Sequence, residues 1–288
     1  MTVDTSLDST TVLPIRMRRH SRWLQAVGRH ALTAVTLLSI VYLMAPIVMM
    51  IALSFNRTEG RFDFVWHGFS MAAWLQPFAV EGLFDSLKIS VVLAFLVAIV
   101  ATAIGTAMAY AMVRYRFRGQ GVLDVVLLLT ISTPEVIIGS ALLNLYLDLS
   151  LPMGPLSIVL SHVMFDIAFV AIVVKSRLRG FDITLEHAAM DLGAKGFRVF
   201  RKITLPLILP AVVTAGLLAF MLSLDDFIIT MFVSGPTVTF PLFVWGTARV
   251  AMPPQIYVIG TGTFVLLSIL LLASFVLDRR RARLQGAG

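Results

Sequence analysis

The sequence predicts an all-α integral membrane protein with about six transmembrane helices. Hydrophobic residues make up 58% of the 288 residues and charged residues only 14%, and the mean hydropathy is +0.92. A soluble domain of this size carries about 25% charged residues. The charges are also clustered, and the apolar stretches between them reach the roughly 20 residues that a helix needs to cross a bilayer core. These observations exclude a soluble globular protein.

Six apolar stretches predict the spans in order. The first follows a basic N-terminal tail, residues 1–30, and is too long to be the apolar core of a cleavable signal peptide. Longer loops are predicted only over 56–85 and 175–206, and a basic C-terminal tail covers 278–288. The predicted spans are 31–55, 86–113, 121–148, 155–174, 207–233 and 254–277.

The basic residues predict the orientation of these spans. Six spans place both termini and the loops after spans two and four on one side, which then holds 19 of the 23 Lys and Arg residues. The opposite side holds the other four, which are Arg57, Arg61, Lys88 and Arg249. Because Lys and Arg are enriched in cytoplasmic loops, both termini are predicted to be cytoplasmic. The same distribution explains the net charge of +7 without a nucleic-acid partner.

Motifs for catalysis or nucleotide binding do not occur in the sequence. A phosphate-binding P-loop needs a Gly-Lys step, and none of the four lysines follows a glycine. H-E-x-x-H and G-x-S-x-G are missing, and without cysteine the chain has no thiol chemistry. His187 and Asp191 lie one helical turn apart, but such an isolated pair is more typical of a surface than of a metal site. The chain is therefore predicted not to be an enzyme and to bind no metal.

The loop between spans four and five has the pattern of a compact helical projection. Asp182 or Thr184 can cap a short helix, and Gly193 can end it in a left-handed conformation. The small apolar face of this helix consists of Ala188, Ala189 and Leu192. A second short helix is predicted to run to Ile203, and Pro206 is predicted to mark the turn into the next span.

One spacing in this loop matches a known family. It reads Ala188-Ala189-x-x-x-Gly193 followed by Ile203-x-Leu205-Pro206. This spacing resembles the EAA loop of bacterial ABC importer permeases, a coupling helix that docks in a groove of the ATP-binding subunit. The resemblance implies that residues 180–206 form such a coupling loop. The residues it would use to contact the ATPase are Glu186, His187, Ala188, Ala189, Asp191 and Gly193.

The chain departs from the family pattern at one position of this loop. The motif has a glutamate six residues before the glycine, where this chain has His187, and Glu186 lies one place earlier. A shift of one position turns a side chain by about 100° on a helix. Either Glu186 or His187 is therefore predicted to take the role of the motif glutamate.

The resemblance covers nearly the whole chain and is closest to the spermidine/putrescine permeases of the C type. The matching stretches are 114–119, 133–137, 176–182, 191–194, 201–206, 223–227 and 232–236. The family implies the six-helix, methionine-importer-like core in the bacterial inner membrane. It also implies a homologous second permease, an external substrate-binding protein and two ATP-binding subunits that hold ATP and Mg, while this chain binds no cofactor. Transport would proceed by alternating access. Other cargoes within the family are thiamine, an aminophosphonate or chelated iron.

Four acids within the predicted spans indicate the substrate path. Glu135 follows Pro134 near the middle of span three, where a helix break would free backbone carbonyls, while Asp166 lies mid-span in four and Asp225 and Asp226 lie mid-span in five. A charge at mid-membrane costs roughly 2.5–3.5 kcal/mol, so it usually faces a cavity or a partner. Because these spans lack Lys and Arg, the acids are predicted to be unpaired and to suit a cationic solute. The alternative is that they make hydrogen bonds between packed helices.

Two further expectations concern these acids. Adjacent residues on a helix project about 100° apart, so one of Asp225 and Asp226 is predicted to face the substrate and the other to hold its helix against a neighbour. The competing function from another class is an ion-coupled carrier or membrane enzyme that uses the acids as a proton relay. ATP-dependent uptake that is insensitive to uncouplers would separate an importer from such a carrier.

Overall fold

The computed structural model describes residues 22–57, 59–60 and 65–285, and the chain divides into two units, Met1–Ala52 and Leu53–Gly288. The described residues are helical, apart from loops and one isolated antiparallel bridge between Asn56 and Phe69. The helices are α1 Arg22–Leu53, α2 Ala72–Leu75, α3 Leu83–Arg114, α4 Gln120–Ser132, α5 Glu135–Asp148, α6 Pro155–Arg179, α7 Thr184–Asp191, α8 Gly196–Val199, α9 Leu205–Asp225, α10 Ile228–Val233, α11 Phe240–Ala248 and α12 Pro254–Gln285.

The first unit consists of the long helix α1, which contains the first predicted span. The helix begins at Arg22, nine residues before the predicted boundary, and its apolar part runs from His30 to Leu53. None of the side chains in the most apolar part of this stretch is buried within the chain, a degree of exposure that the apolar core of a bilayer can cover. Residues 1–21 of the predicted basic tail lie outside the described residues.

The second unit contains the remaining spans. Together with α1, four helices among the described residues are long and apolar enough to cross a membrane, and the α4–α5 pair makes five if it counts as one bent span. The sixth predicted span falls in α12, whose described apolar part, Pro254–Ile269, is shorter. The helix continues to Gln285, so the predicted C-terminal tail is largely helical. The all-α membrane fold predicted from the sequence is confirmed.

The break predicted beside Pro134 is present. Helices α4 and α5 meet at an angle of 107°, with Thr133 and Pro134 in extended conformations between them. Proline disfavours the α conformation at the residue before it, and Thr133 has a ψ of 131°, so α4 ends at Ser132. Glu135 then becomes the first residue of α5.

The prediction that 207–233 is one uninterrupted span was wrong. Helix α9 ends at Asp225, Asp226 has an extended ψ of 117°, and α10 begins at Ile228. The side chain of Asp226 accepts a hydrogen bond from the backbone N–H of Thr230 at 2.8 Å. It thereby satisfies an otherwise unpaired donor in the first turn of α10, as an N-terminal cap does.

The prediction that Pro206 marks a turn was also wrong. A continuous helical segment runs from Gly196 to Asp225, and residues Phe200–Thr204 form a π turn within it. The N–H of Leu205 donates to the carbonyl of Phe200, five residues earlier. Pro206 occupies the first turn of α9 and lacks a donor N–H. The helix therefore continues through the π turn and Pro206, and no turn separates this segment from α9.

The core of the second unit lies between α3, α6 and α9. Small side chains let these helices approach closely, as is usual between membrane helices. A Cβ atom added at Gly105 of α3 would lie 2.6 Å from Val170 Cγ1 of α6. The buried cluster consists of Ala98, Ala101, Ala109, Val170, Val174, Leu178, Ile208, Ala215 and Ala219. Helix α9 of this core ends at Asp225, one of the predicted acids, and begins at Leu205, within the coupling loop.

Candidate functional site: an acidic cavity and a coupling loop

A cavity of about 840 Å³ opens beside the junction of α9 and α10, and residues of α5, α6, α11 and α12 complete its walls. Three of the four predicted acids line it: Glu135, Asp225 and Asp226. The cavity is therefore an acidic pocket with largely apolar walls.

The fourth acid does not line this cavity. Asp166 is buried on α6, with 1% of its surface exposed, and its Oδ2 has no hydrogen-bond partner among the described residues. The structure therefore brings together three of the four predicted acids at the cavity, while the fourth is buried within α6.

Asp226 is held by a buried hydrogen-bond network. Its Oδ1 accepts from the N–H and the hydroxyl of Thr230, at 2.8 and 2.9 Å, and lies 3.2 Å from His162 Nε2. Because the Thr230 hydroxyl donates its proton to Asp226, His162 Nε2 must itself be a donor toward Thr230 Oγ1, 3.0 Å away, or Asp226. His162 Nδ1 is paired with the hydroxyl of Ser223 at 2.8 Å. The prediction that the acids lack a partner within the chain is therefore wrong for Asp226.

Asp225 differs from its neighbour in exposure and in bonding. Its side chain is exposed toward the cavity, and it forms no hydrogen bond or ion pair with the described residues. Glu135 is likewise exposed and lines the cavity. A close helix contact positions Glu135, because a Cβ atom added at Gly139, one turn later, would lie 2.6 Å from the Phe232 ring of α10.

Aromatic rings form part of the cavity wall near these acids. Phe227 and Trp245 both line the cavity, with ring centroids 5.2 Å apart. The guanidinium carbon of Arg249 lies over the Trp245 ring, 4.6 Å from its centroid. One face of the indole is therefore in cation–π contact with Arg249. Carboxylates beside aromatic and aliphatic walls suit an alkylammonium ion, whose charge and carbon chain would each find a matching surface.

The first short helix of the coupling loop, α7, begins and ends beside the residues that the sequence predicts. The N–H of Thr184 donates to Asp182 Oδ1 at 3.0 Å, just before α7 begins, and this hydrogen bond lowers the pKa of the Asp182 carboxyl. Gly193 follows α7 with φ of +87°, a left-handed conformation that glycine adopts without strain. The short helix α7 thus projects between two well-defined turns.

Glu186 and His187, the two residues that could take the role of the motif glutamate, lie in different environments. Glu186 is 4% exposed and is the buried residue of α7, whereas His187 is exposed. Glu186 forms an ion pair with Arg114 at the end of α3, with Arg114 Nε 2.9 Å from Glu186 Oε2. Its Oε1 accepts a hydrogen bond from the Thr204 hydroxyl at 2.8 Å. The Glu186 side chain is therefore bonded within the chain.

The surface of the coupling loop is formed by the remaining predicted residues. His187, Ala188, Asp191 and Gly193 are exposed, and Ala189 is half-buried. Two large apolar side chains extend this surface: Leu192 is 90% exposed and Phe197 is 76% exposed. Such a pair of exposed apolar side chains on a polar loop is typical of a protein contact.

Comparison with known proteins identifies the chain that carries this cavity and loop. Residues 10–285 match the family described as binding-protein-dependent transport system inner membrane component. The chain belongs to this family. It is a membrane permease of the ABC transporter type, a non-catalytic component of a transport system.

The permease is similar over most of its length to two proteins of Escherichia coli (strain K12). It is 35% identical to the spermidine/putrescine transport system permease protein PotC over 243 residues, which cover 84% of this chain and 91% of PotC. It is 38% identical to the putrescine transport system permease protein PotI over 235 residues, which cover 79% of this chain and 83% of PotI.

A solved structure supports the fold of the permease. A chain of a bacterial ABC transporter involved in the import of the acidic polysaccharide alginate superposes with a TM-score of 0.61, covering 91% of this chain and 98% of that chain. The sequence identity is 16%, so the similarity shows the shared fold.

Several residues of the permease site were missed by the sequence reasoning. His162 is an isolated histidine in an apolar stretch. It lies four residues before Asp166 on α6, and this spacing was the one feature of the sequence that could have indicated a buried polar site. Arg114 and Thr204 had no comparable signal, because their bonds to Glu186 join residues 72 and 18 positions apart. Only the folded structure brings these residues together.

Proposed function

We propose that this permease moves polyamines such as spermidine and putrescine across the bacterial inner membrane by alternating access. The observation that carries this proposal is the cavity in which Glu135 and Asp225 present exposed carboxylates beside aromatic walls. The polyamine names of its relatives PotC and PotI support the same cargo. The partners would be a homologous second permease, two ATP-binding subunits and an extracytoplasmic substrate-binding protein. ATP and Mg would be held by the ATP-binding subunits, and this chain would bind no cofactor.

The chemistry of the cavity favours a cation over the anionic cargoes of the family. Clustered carboxylates repel an anionic aminophosphonate or an iron chelate with exposed carboxylates, whereas each ammonium group of a polyamine is attracted to them. The Phe227 and Trp245 rings can contact the methylene chain. Acidic and aromatic surfaces within one cavity therefore fit a linear molecule that carries both charges and methylene groups.

Uptake by the reconstituted transporter tests this function. The complete complex in proteoliposomes, with its binding protein outside and ATP inside, should accumulate labelled spermidine or putrescine. Thiamine, an aminophosphonate and an iron chelate should neither be accumulated nor compete. Accumulation without ATP, or its loss on adding an uncoupler, would instead support the ion-coupled carrier. Uptake of one of the other solutes in place of polyamines would overturn the cargo assignment.

The proposed orientation places both termini and the coupling loop in the cytoplasm. Topology reporters fused after Gly119, Lys195 and Gly288 should therefore report the cytoplasm, and reporters near Ala72 and Val238 should report the outside. The physical reason is the location of 19 of the 23 basic residues on one side. A cytoplasmic signal from the Ala72 fusion would contradict the arrangement of spans.

The proposed coupling role of residues 186–193 depends on the turn at Gly193. Gly193→Val should uncouple ATP hydrolysis from transport, because a β-branched side chain is strained at φ of +87° and would displace the end of α7. The measurement is ATPase stimulation by loaded binding protein in the reconstituted complex. Gly196→Val is the matched control, since Gly196 lies at a helix start, and a Cβ there would meet no atom within 4 Å. Normal stimulation in Gly193→Val would remove this turn from the mechanism.

A further inference from the structure

Helix α7 is attached to the rest of the chain in an unusual way. Its buried residue is a carboxylate, Glu186, whereas most of its other side chains are exposed. A short helix is normally fixed to its neighbours by apolar packing. Here the attachment is instead a directional polar contact, so the position of α7 depends on the groups that bind this carboxylate.

Three other segments meet at Glu186. Arg114 donates to Oε1 through Nε and Nη2, at 3.1 and 2.9 Å, and its Nε also lies 2.9 Å from Oε2. The Thr204 hydroxyl donates to Oε1 at 2.8 Å. The guanidinium group also lies over the Phe181 ring, with 5.7 Å from its carbon to the ring centroid. The contact therefore joins α7 to the end of α3, to the π turn before α9 and to the segment after α6.

The Arg114–Glu186 pair is shielded from water. The two side chains are 9% and 5% exposed. A charge-assisted pair of this geometry fixes both distance and direction, because the planar guanidinium meets the carboxylate through more than one N–H. Movement of α7 must therefore either carry Arg114 and Thr204 along or break a buried ion pair, which is strongly unfavourable.

One of the attached helices leads directly to the cavity. Thr204 immediately precedes α9, and the last residue of α9 is Asp225. Its 21 residues span about 30 Å at 1.5 Å per residue. The other attached helix, α3, packs against α6 and α9 in the core. A displacement of α7 thus has a continuous helical route to Asp225 at the cavity.

We propose that Arg114, Glu186 and Thr204 form a joint that transmits movement of the coupling loop to α3 and α9, and that Glu186 acts as a positioning residue within the chain. This inference rests on the proposed function of the loop in coupling. It assigns contact with the ATP-binding subunit to the exposed residues, including His187 and Leu192, and removes Glu186 from that surface.

The test compares Glu186→Gln with the wild type in the complete reconstituted complex. Glutamine keeps the shape and removes the charge that holds Arg114. The number of spermidine molecules transported per ATP hydrolysed should fall by about fivefold or more, while the ATP-binding subunits remain bound through purification. The combined Arg114→Glu and Glu186→Arg exchange should recover part of this ratio. Leu192→Asp is the comparison variant, and it should instead weaken retention of the ATP-binding subunits.

Two results of this comparison would overturn the proposal. One is an unchanged transport ratio in assembled Glu186→Gln complexes. The other is loss of the ATP-binding subunits from Glu186→Gln to the extent seen for Leu192→Asp, which would place Glu186 on the contact surface.

A measurement in the unaltered joint gives an independent answer even if Glu186→Gln does not fold. The chain has no cysteine, so spin labels at Arg116→Cys and Asp191→Cys would be the only labels on this subunit. The distance between them should stay the same with and without ATP, because the joint moves as one body. A change in that distance would overturn the proposal. This distance measurement needs no cargo. A failure of polyamine uptake in the wild type would therefore contradict the proposed substrate and leave the proposal about the joint unaffected.

Discussion

Asp225→Asn is expected to reduce polyamine uptake at least tenfold while leaving expression, assembly and basal ATPase activity close to wild type. Asp225 is exposed to the cavity and bonded to no described residue, so asparagine keeps its shape and removes only its charge. A carboxylate about 4 Å from an ammonium contributes roughly 4 kcal/mol at an effective dielectric constant near 20, before desolvation is subtracted. A net effect of only about 1.4 kcal/mol would already change occupancy tenfold.

The comparison variants for this prediction are chosen from other acids of the chain. Glu135→Gln should impair uptake in the same way, because Glu135 is also exposed to the cavity. Asp148→Asn is the matched control, since Asp148 is exposed at the end of α5 and does not line the cavity. The measurement is the initial rate of spermidine uptake into proteoliposomes. Wild-type rates for both Asp225→Asn and Glu135→Gln would refute an acidic path for the cargo.

Features that depend on nearby residues could be predicted from the sequence. The bend at Pro134 follows from the steric restriction that proline imposes on the preceding residue, and the left-handed turn follows from Gly193 after a short helix. The selection of Glu135, Asp225 and Asp226 followed from the cost of a charge in an apolar span. Each of these arguments uses only the local sequence and the properties of the bilayer.

Features that depend on distant residues could not be predicted. The break after Asp225 is held by Asp226, whose Oδ1 accepts from Thr230 and lies 3.2 Å from Nε2 of His162 on a different helix. The burial of Glu186 likewise requires Arg114, 72 residues earlier. Hydrophobic periodicity carries no information about such polar pairs. The apolar run over 207–233 therefore predicted one span where the structure has two helices.

The resulting arrangement gives the adjacent acids separate environments. Asp225 ends α9 and is free toward the cavity, whereas Asp226 caps α10 and is bound by His162 and Thr230. If both carboxylates were free, the cavity would carry more charge, but the break between the two helices would lose the group that fixes it. Asp226 thereby stabilises the backbone break that presents Asp225 to the cavity.

Removing the partner of Asp226 is expected to have the largest effect on stability. His162→Ala should lower the free energy of unfolding by about 3–5 kcal/mol, because it removes one of the two partners of the Asp226 carboxylate, leaves Ser223 and Thr230 without their bonds to the ring, and opens a cavity. His162 itself is 3% exposed, so water does not readily replace the lost hydrogen bond. The measurement is the thermal unfolding midpoint of the purified complex, together with its expression level. His187→Ala, at an exposed position on α7, should leave both unchanged.

A double-mutant cycle tests whether this effect arises at Asp226. Asp226→Asn alone should also destabilise the protein, because a neutral amide oxygen accepts hydrogen bonds more weakly than the carboxylate oxygen that accepts from Thr230 and lies 3.2 Å from His162 Nε2. If the two side chains stabilise the fold through each other, the combined His162→Ala and Asp226→Asn variant should lose less stability than the sum of the single variants. Strictly additive losses would show that His162 stabilises the fold through Ser223 or through packing, independently of Asp226.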